Sequence, residues 1–229
     1  MSRTAQLHGH VFDNWPPDNS GDVNYPTWPP TPGLSRSEGP TPTQAVGPYS
    51  AIGLPYEGDF QVAGECRPGV LTLSGSVYDG TGRPIADALL ELWQADENGD
   101  FVEECLLTPV ATDGFRGFGR TSSTIDGEFT FRTVKPGPVW ENDGVTAPCV
   151  ALTLQAGGLL KRLMTRVYFA DEAERNEQDA FLSSLPADRR TLLVAEPTEH
   201  GYRIDIHLQG DHETPFLNTF TAPGRRTAS

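Results

Sequence analysis

The chain has 229 residues and a formal net charge of −14, with 17 lysines and arginines set against 31 aspartates and glutamates. That length can bury a core without covalent staples. The charge argues against nucleic acid or an anionic membrane as partner, because both ask for a basic surface. No apolar run reaches the roughly 18 residues of a membrane span, and the N-terminus lacks the basic-then-apolar order of a secretion signal, so a cytoplasmic protein is expected. Cys66, Cys105 and Cys149 are odd in number, far apart and without a C-x-x-C pair. They predict reduced thiols and neither a disulfide framework nor a zinc knuckle.

The first forty residues stand apart, with Trp-Pro-Pro occurring at Trp15 and again at Trp28. Proline removes backbone donors and favours polyproline conformations, so neither a helix nor a central strand is predicted there. Two readings stay open: a solvated tail, or an arm laid along a partner with the two tryptophans as anchors. Residues 1–40 are taken as this arm and residues 41–229 as the folded domain.

From Val70 the apolar residues recur with period two. VLTLSGSVYDGTGRPIADALLELWQAD predicts a strand, a turn at Asp79-Gly80-Thr81-Gly82, and a second strand through Leu90 and Leu92. GRTSSTIDGEFTFRTVKPG repeats the pattern, with Asp126-Gly127 as a hairpin signal before Phe129 and Phe131. The turn at Lys135-Pro136-Gly137-Pro138 leads through a polar loop to CVALTLQAGGLLKRLMTRVYF, two strands parted by Gly157-Gly158. DEAERNEQDAFLSSLPADRRTLLVAE reads as helical and split by Pro186. YRIDIHLQG reads as one strand, with Ile204, Ile206 and Leu208 on one face and Arg203, Asp205 and His207 on the other. Many short strands with turn signals between them predict an all-β fold, a β-sandwich with a few short helices.

Three sets of side chains could carry chemistry. Cys149 as a nucleophile needs a base beside it, yet the five histidines lie in the arm or near the C-terminus. Packing within a strand, as a small buried residue, is the expectation for it. Asp205 and His207 have the spacing of two metal ligands on one strand face, but no third ligand completes the shell in sequence. Arg162 and Arg166 concentrate cations in an acidic chain. They are either a salt-bridged sheet face or an arginine fork for a carboxylate.

Taken together, TPTQAVGPYSAIGL (Thr41 to Leu54), VYDGTGRPIADALLELWQAD, FGRTSSTIDGEFTFRTVKPGPV, TRVYFADE and YRIDIHLQG resemble the intradiol ring-cleaving dioxygenases, in order, over roughly Thr41 to Phe220. The resemblance implies a β-sandwich. It also implies an enzyme whose catalytic chains hold Fe(III) through two tyrosines and two histidines, hard donors suited to that ion. A tyrosine after the KPGP turn and two alternating histidines on the next strand are part of that pattern. Here those positions hold Val139, Cys149 and Ala151, and no tyrosine or histidine occurs between Tyr78 and Tyr168.

By this resemblance the chain binds no metal and supplies no catalytic residue. It pairs with a partner beta subunit that bears the Fe(III), at a site shared by the two and acting on protocatechuate and O2. The segment Gly47, Pro48 and Tyr49, together with Arg166, would line the substrate on this chain's side. The Trp-Pro-Pro arm is not part of the resemblance. The remaining rivals are a sandwich that only binds or scaffolds, and a thiol enzyme using Cys149.

Overall fold

The alternation of Leu71, Leu73 and Val77 with small polar residues makes β1 (Val70–Tyr78) a strand that buries one face. This computed structural model describes residues 45, 47, 53–102, 110–141 and 144–217. The arm with Trp15 and Trp28, and Cys105, lie outside the described residues. Among those described, eleven strands form: β2 (Leu89–Trp93), β3 (Phe118–Ser122), β4 (Glu128–Val134), β5 (Val139–Glu141), β6 (Gly144–Thr146), β7 (Cys149–Gln155), β8 (Leu163–Phe169), β9 (Val194–Thr198), β10 (Gly201–Arg203) and β11 (Ile206–His207).

They build the expected sandwich. In one layer β1 pairs antiparallel with β4 and parallel with β10 and β11; in the other the order is β3–β2–β7–β8, all antiparallel. β9 joins the layers. Its start runs beside β8 (Tyr168 opposite Val194) and its end beside β10 (Glu196 opposite Arg203), so one nearly closed sheet wraps the core. Leu73, Val77, Phe129 and Phe131 from the first layer meet Leu90, Leu92, Leu152, Leu154, Val167 and Phe169 from the second. Each such fully buried side chain stabilises the fold by roughly 1.5–3 kcal/mol relative to exposure.

The turns behave less simply than their sequences suggest. Asp79 forms the expected turn by accepting from Thr81 N at 2.7 Å and Arg83 N at 3.0 Å. A lone bridge between Tyr78 and Pro84 follows, after which the chain crosses to the other layer. The Asp126-Gly127 hairpin is corrected. Gly127 does turn the chain, at φ 76°, but β3 pairs with β2 while β4 pairs with β1. The turn therefore carries the chain from one layer to the other.

Two strand readings also change. The polar loop after the KPGP turn is the small hairpin β5–β6, with Trp140 opposite Val145. The strand YRIDIHLQG breaks in two, because the Asp205 carboxylate accepts the backbone N–H of Ser76 in β1 at 2.9 Å. The Ile204 carbonyl also crowds β1 there: a Cβ on Gly75 would lie 1.7 Å from it, so only glycine fits. The predicted inward face holds, with Ile204 and Ile206 buried.

The helical stretch divides more than expected. Helices cover Ala173–Gln178, Ala180–Ser184 and Ala187–Arg190, and Val194 onward is strand β9. Pro186 makes the second break as predicted. Asp179 makes the first, because it leaves helical geometry to cap the next helix, accepting from Leu182 N at 2.8 Å. Among the described residues no helix is long and apolar enough to cross a membrane.

Candidate functional site

The second layer has an inner and an outer face. On the outer face the register aligns Phe118, Trp93, Ala151 and Arg166 in a row across β3, β2, β7 and β8, with Cys149 opposite Tyr168 one step along. Strand alternation places them there. Val150, Leu152 and Leu154 go into the core, and Cys149, Ala151 and Thr153 stay half-buried outside it.

Arg166 stands on the wall of a cleft of about 320 Å³ whose other walls include Thr146, Gln178, Asp179, Phe181 and Leu217. Its guanidinium carbon lies 5.7 Å from the centre of the Phe181 ring, within range of a cation–π contact. Beside it Tyr168 is fully buried and donates its hydroxyl proton to Asp179 Oδ1 at 3.1 Å. Burial pushes the Tyr168 phenol well above its ordinary range. The charges of Cys149 and Asp179 push it further, and Arg166 pulls the other way. Tyr168 is therefore a neutral donor at any working pH. Asp179, 2% exposed, also accepts from Leu182 N and Ala147 N, so three segments converge on one carboxylate.

Of the residues expected to meet a substrate, Arg166 thus lies in a cleft. Gly47 is exposed, and Pro48 and Tyr49 lie outside the described residues. Cys149 requires a correction: it is half-buried on the outer face, not a small buried residue. It packs against a cluster of Ala147, Tyr168, Leu182 and Leu193. Asp205 and His207 do not converge on a common ligand. Asp205 binds Arg203 at 2.9 Å, and His207 stacks on Tyr78 at 5.1 Å between ring centres.

The donor set at the three family positions does not fit ferric iron. Val139 sits opposite Thr146 on the small hairpin, and Ala151 lies between Trp93 and Arg166. Neither valine nor alanine offers a lone pair, and one thiol cannot replace phenolates and imidazoles. Among the described residues no three His, Cys, Asp or Glu side chains gather as a metal site would require.

The residues around the site differ in how far the sequence signals them. Trp93, 38% exposed, stacks on Phe101 with ring centres 6.4 Å apart, and Trp140 is 82% exposed. Alternation along β2 does predict the outward face of Trp93. Asp179 and Phe181 are placed by a helix break, which periodicity cannot reveal. Lys135 of the KPGP turn reaches Asp171 Oδ2 at 2.7 Å and Glu172 Oε1 at 2.6 Å, pinning that turn to the end of β8.

The β-sandwich that the resemblance implied is present, with Arg166 in a cleft on its outer face, and comparison with known proteins gives its class. The dioxygenase family model matches residues 59–210. The chain belongs to the intradiol dioxygenase family. It is similar to the protocatechuate 3,4-dioxygenase alpha chain of Pseudomonas putida, 40% identical over 196 residues that cover 78% of this chain and 96% of that one. It is less similar to the protocatechuate 3,4-dioxygenase beta chain of Burkholderia cepacia, 29% identical over 156 residues, 63% of this chain and 66% of that one. Among solved structures, the dioxygenase domain of a dioxygenase–carbohydrate-binding fusion from Streptomyces sp. SirexAA-E is 28% identical. It has a TM-score of 0.50 over 75% of this chain and 99% of that one.

Proposed function

We propose that this chain is the alpha-type, non-iron-binding subunit of a cytoplasmic two-chain intradiol dioxygenase. Its beta-type partner holds the Fe(III). The assembled enzyme joins protocatechuate and O2 to give 3-carboxy-cis,cis-muconate, and this chain contributes charge and shape to one wall of the shared site. Arg166 takes the ring's carboxylate, and Gly47, Pro48 and Tyr49 complete the wall. The observation that carries this reading is the placement of Arg166: a cation stacked on Phe181 in a cleft, within a chain of net charge −14. An anionic ring is repelled by the chain at large and needs such a local cation.

The need for a partner is supported by the aromatic surface near the cleft. Val145 lines the cleft, and its cross-strand neighbour Trp140 stands out on the same hairpin. Large exposed aromatics of this kind are enriched where protein chains meet. The alpha and beta names of two relatives support a division of labour between unlike chains.

The test is Arg166→Ala in the enzyme co-expressed with an iron-bearing beta chain. A charge-assisted hydrogen bond of roughly 1.5–3 kcal/mol corresponds to a loss of about 10- to 150-fold in kcat/KM for protocatechuate. Catechol, with no carboxylate, should be largely spared, and iron content should be unchanged. Equal losses on both substrates, or no loss on either, would overturn the assignment of Arg166.

A further inference from the structure

An arginine on a half-exposed strand face has many rotamers, and choosing a carboxylated ring over a bare one requires that it be held in one of them. The structure supplies the parts for this. Phe181 lies under the guanidinium at 5.7 Å. Tyr168, two residues along the same face of β8, is buried and cannot swing, because its hydroxyl is spent on Asp179 at 3.1 Å. Asp179 itself is fixed from three directions: by Tyr168 in β8, by Ala147 N from the turn between β6 and β7 at 3.1 Å, and by Leu182 N of its own helix at 2.8 Å. Asp179, which lines the cleft, is thereby tied to the same strand as Arg166 and to the turn before β7.

We propose that Phe181 and Tyr168, anchored by the buried Asp179, are positioning residues that aim the Arg166 guanidinium into the cleft and so set the preference for a carboxylated catechol. This rests on Arg166 meeting the substrate's carboxylate, as proposed above. Arg166 also pulls the Tyr168 phenol down against the rise that burial gives it. Asp179 acts through hydrogen bonds and touches no reacting atom. Its own replacement would loosen the helix it caps, so the informative changes are at the two rings.

The experiment uses the assembled enzyme with Tyr168→Phe and Phe181→Leu, each alone and each combined with Arg166→Ala. Each ring variant should lower kcat/KM for protocatechuate by about 3- to 10-fold, mainly through KM, and leave catechol within about two-fold. In the Arg166→Ala background neither should cost anything further, since residues acting through one group are not additive. Phe181→Tyr keeps the ring face and should keep the wild-type substrate ratio. Equilibrium binding of benzoate, which cannot react, should weaken in parallel with KM.

A loss that falls equally on both substrates, or that persists in full when Arg166 is already absent, would make the rings structural and overturn the proposal. The two readings fail differently. If Arg166→Ala itself leaves the protocatechuate-to-catechol ratio unchanged, the substrate role of Arg166 falls and the cradle with it. If Arg166→Ala is selective and the ring variants are not, only the cradle falls.

Discussion

On the inner face of the β7–β8 hairpin, Val150, Leu152, Leu154, Val167 and Phe169 are at most 2% exposed and pack against the opposite layer. On the outer face, one residue away in each case, stand Cys149, Ala151, Arg166 and Tyr168, in surroundings that mix half-exposure with buried polar contacts. The two faces answer to different constraints. The inner one is limited by volume and alternation, so any loss of apolar bulk is felt throughout the sandwich. Along β7 the outer one is only half-buried, so Cys149 and Ala151 can change chemistry while the strands stay in place. This is how a dioxygenase scaffold can keep its shape with Val139, Cys149 and Ala151 at positions that the family resemblance assigns to metal ligands.

The contrast can be broken most forcefully at Phe169. Its ring is fully buried and meets Tyr202 edge-on at 4.8 Å. Phe169→Ala should cost about 3–5 kcal/mol, read as a lower midpoint in denaturant titration. If it costs no more than an outer-face change, the two faces do not differ as described. Cys149→Ser sharpens the contrast from the other side. A half-buried thiol on the outer face should cost about 1 kcal/mol or less, and activity of the assembled enzyme should not change. Loss of activity with the fold intact would revive the thiol-enzyme reading.

The smallest expected effect lies at the edge of the outer face, where Lys135 holds Asp171 and Glu172. Burial alone would raise both carboxyl pKa values and lower that of Lys135. The mutual hydrogen bonds outweigh it, so the carboxyls lie below, and the lysine above, their usual ranges. Depressed carboxyls contribute stability that is present above their unfolded values of about 3.9 and 4.3 and is lost as pH falls through the folded values. The raised lysine contributes below its unfolded value of about 10.4 and loses that contribution as pH rises through its folded value. Lys135→Met should therefore lower Tm slightly at neutral pH, by the equivalent of less than about 1 kcal/mol given the exposure of Asp171. The gap between variant and wild type should close on acidification below about pH 4, and shrink in high salt. A gap independent of pH in this range would mean that the lysine acts instead through the cation–π contact of its Nζ with the Phe169 ring, 5.9 Å from its centre.

Much of this fold is legible in period-two alternation, because a strand buried on one face leaves that mark wherever it sits in the sheet. β1, β2, β4, β7 and β8 and the inward face of Ile204 and Ile206 all carry it. The charge imbalance likewise marks Arg166 as unusual in the sequence alone, and the absence of tyrosine and histidine between Tyr78 and Tyr168 already leaves the family ligand positions without donors. Partner choice is where local pattern stops. Alternation says that a strand has two faces, not which strand lies beside it, so the turn at Asp126-Gly127 looks like a hairpin and proves to be a change of layer. The break at Asp205 and the cap at Asp179 depend on backbone donors contributed by residues distant in sequence or set by the helix break, Ser76 for the one and Ala147 and Leu182 for the other. No local reading could place Phe181 beneath Arg166 or Tyr168 against Asp179, since those contacts exist only once the helical segment has folded back over β8.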